Sequence, residues 1–316
     1  MLKALAPMEG VTDSVFRQMV CDIGKPDLFF TEFLNVEGFC SKGRKNVEHR
    51  IRFTEKERPV IIQLWGNKPE MYAQTINDII EEKSGSVDGI DINIGCSVHD
   101  ILSGGRGSAL INNKPLVKEI ICAVRQSLNS NTNIKGNKNI PVSVKTRLGF
   151  DSVDIEGWIG FLLKQNLDMI TIHGRLSKET YATPSNWELI GQCALLRNEI
   201  SPSTKILGNG DVKSLAQGEE LCKKYNLDGF MVGRGILNNP WLFSGREDIG
   251  REERIQTLLN HLNLFESFWG DSKPFDCQKK YVKAYLNNFD GVNELRQDLV
   301  RASSLNEMRE ILRNNL

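Results

Sequence analysis

Apolar residues recur along this chain in two rhythms. The first is a period of two. Val87-Asp-Gly-Ile-Asp-Ile-Asn-Ile94 alternates apolar and polar positions, which is the pattern of a β-strand. Short apolar runs at Lys3–Met8, Asp27–Phe33, Pro59–Trp65, Val87–Ile94, Pro141–Thr146, Asp168–His173, Lys205–Leu207 and Asp228–Val232 predict strands. The second rhythm is helical and falls between them. Thr12–Cys21 opens on Thr12 as a cap, and Pro69–Glu82 starts with proline in its first turn. Lys114–Leu128 spaces Leu116, Ile120, Val124 and Leu128 on one face. Asp154–Gln165, Asn186–Arg197 and Ser214–Tyr225 also read as helices. Strands alternating with helices in this number predict a (β/α)8 TIM barrel, an α/β fold, with a doubly wound open sheet as the alternative.

After about residue 245 the strand rhythm stops. Arg251–Trp269, Lys279–Phe289 and Ser304–Leu316 predict helices, and Ser304-Leu-Asn-Glu307 fits a capping box. The expected organisation is a barrel over residues 1–243 and a small all-helical domain over residues 244–316. The polar stretch Ser130–Asn139 has no apolar period and reads as a loop.

Composition narrows the class. The 316 residues are 40% hydrophobic and 25% charged, as in soluble globular proteins. Forty basic residues balance forty acidic ones, so any nucleic-acid surface is local rather than global. Seven scattered cysteines contain no Cys-x-x-Cys pair, so neither a zinc site nor a disulfide framework is indicated. No long apolar run or signal peptide is present, and a cytoplasmic protein with reduced thiols is expected.

A barrel collects its chemistry at the carboxyl ends of its strands. There the sequence places Pro7-Met8-Glu9-Gly10, then Glu32 and Asn35, Gln63, Asn93-Ile-Gly95-Cys96, Lys145-Thr-Arg147, His173-Gly-Arg175, Gly208-Asn209-Gly210-Asp211 and Gly233-Arg234-Gly235. A lone cysteine is more often a small buried hydrophobe than a catalyst. Polar or glycine-rich chemistry at every strand end gives Cys96 a setting. The two last glycine-rich ends suit a phosphate, with Arg234 adding a charge-assisted bond. Lys145 at the rim suits a reduced, anionic flavin, Gln63 its pyrimidine edge, and His173 its ring or phosphate side. Together these fit FMN. No G-x-G-x-x-G follows the first strand, which argues against a Rossmann dinucleotide site.

Ala6-Pro-Met-Glu-Gly-Val-Thr-Asp13, Asn93-Ile-Gly-Cys96, Lys145-Thr-Arg147, Ile172-His-Gly-Arg175, Gly208-Asn-Gly-Asp211 and Val232-Gly-Arg-Gly235 resemble the tRNA-dihydrouridine synthases in order and spacing. The resemblance implies FMN-dependent reduction of the C5–C6 bond of uridine in tRNA, most readily in the D-loop region, by a monomer. NADPH, or NADH, would be the reductant. It implies FMN contacts from Pro7, Met8, Glu9, Gln63, Lys145, His173, Asn209, Gly210, Asp211, Gly233 and Arg234. Cys96 would be the general acid that protonates C5. Asn35, Asn93, Arg147 and Arg175 would face the substrate. No metal is implied. The family usually has proline after the cysteine, where this chain has Ser97; the loop is expected to move over substrate, and Ser97 to loosen it or re-aim it. His99 is a candidate second acid or a solvated loop residue. Residues 40–58 offer Lys42, Arg44, Lys45, Arg50, Arg52, Lys56 and Arg58 against Glu48, Glu55 and Glu57, a local basic patch for phosphates. The resemblance implies that the helical domain over residues 244–316 binds RNA, and there Lys279, Lys280, Lys283 and Arg296 form a candidate basic face. The alternatives are an FMN barrel acting on a small molecule such as a free pyrimidine, dihydrouridine synthesis on ribosomal RNA, and an RNA-binding barrel without catalysis.

Overall fold

The alternation read in the sequence is used in full by the strand at its centre. In the computed structural model, which describes residues 1–83, 86–131 and 139–316, Ile90, Ile92 and Ile94 join the main hydrophobic cluster, while Asp91 and Asn93 take the intervening positions. The strands are β1 (Leu2–Leu5), β2 (Leu28–Phe30), β3 (Leu34–Asn35), β4 (Val60–Trp65), β5 (Ile90–Ile94), β6 (Val142–Arg147), β7 (Met169–His173), β8 (Lys205–Asn209) and β9 (Gly229–Val232). All pair in parallel, and β1–β9 and β2–β4 pairings close the sheet. This is the (β/α)8 barrel; closure excludes the open sheet. Ala4, Ala6, Phe30, Ile61, Met169, Leu207 and Met231 form a separate small apolar cluster.

The predicted strand Asp27–Phe33 is split. β2 ends at Phe30 and β3 resumes at Leu34, both along β4. Thr31 still bridges to β4, donating its N–H to the Ile61 carbonyl and accepting the Gln63 N–H at its hydroxyl. The break lets Glu32 leave the ladder and accept the Gly10 N–H at 2.6 Å.

Helix Pro69–Glu82 falls where the sequence placed it. Helix Ser14–Gly24 is capped by Asp13, not Thr12; the Thr12 hydroxyl instead accepts the Met8 N–H and closes the first loop. Asp154–Gln165 is not one α-helix: a π turn at Ile155–Ile159 leads into Gly160–Leu163, with Asp154 bonding the Gly157 N–H. Most of the predicted Ser130–Asn139 loop, residues 132–138, lies outside the described residues.

The tail is helical, at Arg251–Trp269, Lys279–Tyr285, Val292–Arg301 and Leu305–Arg313. Val292–Arg301 was not foreseen, because only Leu295 and Leu299 are buried on it and its apolar signal is thin. At the last helix the capping box is half made. Ser304 caps the Glu307 N–H, but the Glu307 carboxylate bonds Ser303 instead of closing on Ser304. The main hydrophobic cluster runs through both barrel and tail, from Leu5 and Phe16 to Leu258, Tyr281 and Leu312. Phe16 stacks on Tyr281 at 5.1 Å, and His261 bonds Tyr285 at 2.9 Å. Asp13 knots the two parts. One carboxylate oxygen caps Phe16; the other accepts from Trp269 at 3.0 Å and Lys273 at 2.9 Å. Tyr281 donates to the Val11 carbonyl, so the first barrel loop is sewn to the tail.

Candidate active site

A cavity of about 730 Å³ opens at the carboxyl ends of the strands. It gathers Pro7, Met8, Glu9, Asn93, Cys96, Lys145, Arg147, His173, Arg175, Asn209, Gly210, Asp211, Gly233 and Arg234, contributed by separate strand ends. Two expected residues are not among its lining. Gln63 is fully buried: its amide donates to Asp91 at 2.6 Å and accepts from Asn93 at 2.9 Å. Asn35 caps the short helix Val36–Phe39.

Cys96 is held from every side. Asn93 Oδ1 accepts the N–H groups of Gly95 and Cys96, both at 3.0 Å. Ser108 donates its N–H and its hydroxyl to the Cys96 carbonyl, each at 2.9 Å. Arg147 donates to the Gly95 carbonyl at 2.8 Å and to the Ser97 hydroxyl at 3.0 Å, with a third bond to the Leu176 carbonyl at 2.7 Å. The loop is thus tied at each residue around the thiol, and Ser97 adds a tie where looseness was expected. Arg147 and Arg175 line the cavity, but each spends three donors on protein acceptors. Behind Asn93 the chain of bonds continues through Gln63 to Asp91, which also accepts from Ser143 at 2.5 Å. Burial lifts the Asp91 carboxyl to about 6, against the bonds from Ser143 and Gln63.

Burial also pushes the Cys96 thiol up, outweighing the Val98 N–H, Arg147 and Lys145, so sulfur keeps its proton at neutral pH. A protonated thiol is an acid, not a nucleophile. Lys145 is drawn down to about 8 by burial and by Arg147, against Asp91 and Cys96. No hydrogen bond or ion pair engages its ammonium among the described residues. Burial and four surrounding cations, Lys145, Arg147, Arg175 and Arg234, bring His173 to about 2, so its imidazole is neutral. Its Nε2 accepts from Arg175 at 2.9 Å, which leaves the proton on Nδ1. Arg175 also donates to Asp211 at 2.6 Å and to the Thr183 carbonyl. Burial disfavours the Asp211 charge, but the bonds from Arg175 and the Ser185 N–H prevail and hold the carboxyl low.

The glycines at the last two strand ends differ in kind. Gly210 has φ +121°, and a Cβ there would meet Ser185 Oγ at 2.0 Å; the protein itself requires glycine. At Gly233 an added Cβ would come no closer than 3.9 Å to Ala6, so protein packing does not require the missing side chain. Gly233 lines the cavity, and its carbonyl accepts the Ile236 N–H at 3.1 Å.

Sequence reasoning missed Tyr181, which lines the cavity 60% exposed beneath the Arg234 guanidinium, 3.5 Å from its ring centre. It lies in an aperiodic stretch before Trp187 and had no pattern to reveal it. His99 is absent from the lining, and its side chain is 94% exposed. The basic stretch 40–58 is not one surface. Glu57 is fully buried against Arg17 at 2.6 Å, Arg50 pairs with Glu9, Arg58 with Asp88, Lys56 with Asp22 and Arg44 with Asp78. In the tail, Lys279 pairs with Asp276, and Lys280 bonds the Gly10 carbonyl.

A closed parallel barrel with a polar, cation-rich cavity at its strand ends defines a barrel enzyme. The family model described as dihydrouridine synthase (Dus) matches residues 4–316, and the chain belongs to that family. It is 38% identical over 315 residues to a probable tRNA-dihydrouridine synthase of Staphylococcus aureus (strain MRSA252), covering 98% of this chain and 91% of the relative. It is 36% identical over 312 residues to probable tRNA-dihydrouridine synthase 2 of Bacillus subtilis (strain 168), covering 98% and 92%. Among solved structures, 2-naphthoyl-CoA reductase in complex with 2-naphthoyl-CoA is similar in fold, with a TM-score of 0.53 at 11% identity over 77% of this chain and 49% of that one. No described helix is long and apolar enough to cross a membrane, and no group of three or more metal-ligating side chains occurs among the described residues.

Proposed function

We propose that this protein reduces the C5–C6 bond of uridine in tRNA to dihydrouridine, using FMN with NADPH as the electron donor, in the cytoplasm. The observation that carries the reading is the unpartnered Lys145 ammonium sharing one cavity with the protonated Cys96 thiol. The residues fit FMN: the open space beside Gly233 and the Arg234 side chain suit its phosphate, and Lys145 suits an electron-rich ring. Held there, the group would supply the hydride for uracil C6.

The chain's own residues do the rest. The Cys96 thiol gives its proton to C5 as negative charge develops there. Asn93 and Arg147 hold the Gly95 and Cys96 backbone and the Ser97 hydroxyl around the thiol, so the proton is delivered from a fixed point. Arg175 fixes the neutral tautomer of His173 and the carboxylate of Asp211, shaping the wall on the phosphate side. Gln63 serves this scheme through Asn93, not by touching the ring. The tail, bound to the first loop by Asp13, gives the RNA a surface beside the cavity.

The test is direct. Purified protein should carry FMN, and unmodified tRNA incubated with it and NADPH should gain dihydrouridine by nucleoside mass spectrometry. Colourless protein that FMN cannot reconstitute would overturn the proposal.

A further inference from the structure

A second cavity, of about 500 Å³, lies between the turns at Arg44–Ile51, the end of helix Pro69–Glu82 and the Trp269–Lys273 end of the tail's first helix. Its two carboxylates are already engaged: Glu48 and Glu82 both pair with Arg44. Of its cations, Lys273 is engaged with Asp13. Lys45, Arg52 and Lys83 have no acidic partner among the described residues. Lys83 sits 4.2 Å from the Phe53 ring centre, and burial together with Arg58 and Arg17 draws its ammonium down. His49, brought to about 4 by burial and by Lys273, is neutral, and no hydrogen bond uses its ring nitrogens among the described residues. Three unpaired cations and a neutral imidazole thus line a space with no free carboxylate among the described residues.

The shape favours an oxyanion over a base. Trp269 is the aromatic wall, but it is already covered: Arg52 lies 4.8 Å and Lys273 3.9 Å from its ring centre, and His49 meets its edge. Trp269 is only 5% exposed, so it offers little ring face for stacking. The Glu9–Arg50 ion pair stands between the two cavities. Glu9 lines the first, and Arg50 lies between His49 and Ile51, which line the second.

We propose that this flank cavity is a second anchoring site for the RNA, taking a backbone phosphodiester away from the nucleotide presented to Cys96. The proposal rests on the RNA reading above. It gives the enzyme a hold on the polymer that a free uridine or a short fragment cannot use.

Lys45→Glu/Lys83→Gln protein and Lys45→Glu protein test it, alongside the unaltered chain. Binding of unmodified tRNA is read by fluorescence anisotropy over a range of KCl concentrations. The double variant should bind roughly tenfold more weakly, with a salt slope smaller by about one unit, since one lost phosphate contact removes roughly 0.7–0.9. The single variant should show the smaller part of both effects. NADPH oxidation, and reduction of a uridine oligonucleotide too short to reach both cavities, should be unchanged. Unchanged tRNA affinity and slope in the double variant overturn the proposal and leave the RNA reading standing. If inorganic phosphate protects the unaltered chain but not the variant against heat, while tRNA binds both alike, the site takes free phosphate and the proposal falls. If the unaltered chain binds no tRNA, both fall.

Discussion

Removing the Ser97 hydroxyl should slow proton delivery without touching the flavin half of the reaction. Ser97 accepts a bond of 3.0 Å from the Arg147 guanidinium, a side chain only 5% exposed. A bond to a charged partner contributes about 1.5–3 kcal/mol, so the held arrangement is favoured by about 10- to 150-fold. In Ser97→Ala the Gly95 and Ser108 ties remain, which puts the expected loss near the lower end, about tenfold. The assay is single-turnover dihydrouridine formation by pre-reduced enzyme at saturating tRNA, with NADPH oxidation measured separately. The first should fall and the second hold. Ser97→Pro gives a second reading. The Ser97 N–H has no acceptor among the described residues, so proline sacrifices no bond there and supplies stiffness of its own. It should recover part of what alanine loses. Alanine protein as fast as the unaltered chain would refute the role given to the hydroxyl, and proline protein slower than alanine would refute the exchange of bond for ring.

Three other outcomes follow from the same geometry. Cys96→Ala should keep NADPH oxidation and lose about 10²- to 10⁴-fold in single-turnover uridine reduction; full reduction would remove Cys96 as the acid. Lys145→Met should leave the bound flavin harder to reduce in a dye-coupled redox titration. Because Lys145 is charged below about 8, the difference from the unaltered chain should shrink as pH rises past that value, and a difference constant with pH would contradict the placement. Glu32 is raised to about 7 from 4.5, by burial, Asp13 and Glu9. The folded state therefore holds this proton more tightly than the unfolded one. Stability from this group is full below 4.5 and is lost as pH rises through 7. Glu32→Gln should match the unaltered chain near pH 5 and exceed it by up to about 3 kcal/mol above pH 8, at about 1.4 kcal/mol per unit, as read by thermal melts across pH.

Alternation and strand-end chemistry were legible because they are local. Val87–Ile94 announced a strand, and the residues at its end announced a site. What stayed hidden depended on partners distant in the chain. Gln63 reads as a ligand-facing amide until Asp91 and Asn93 are seen to occupy it. Glu57 reads as a surface acid in a basic stretch, yet it is buried on Arg17 and Ser14, forty and more residues away. Thr12 and Asp13 compete for one cap, and Asp13 prevails while also bonding Trp269 and Lys273 of the tail. Tyr181 had no period to mark it. Ser97 looked like a missing proline, and only the position of Arg147 shows what the hydroxyl provides.

The Asp13 knot constrains how this architecture can be inherited. A tail exchanged for one lacking Trp269 and Lys273 would leave a buried carboxylate facing no donor but its own helix. The first loop, which forms a wall of the cavity, would lose its stitching at Val11 in the same event. Tail and loop therefore behave as one heritable unit. A descendant that acquires a new RNA-facing tail must rewrite residues 10–13 along with it, and a chimera joined after the barrel should fold well only when both pieces come from the same parent.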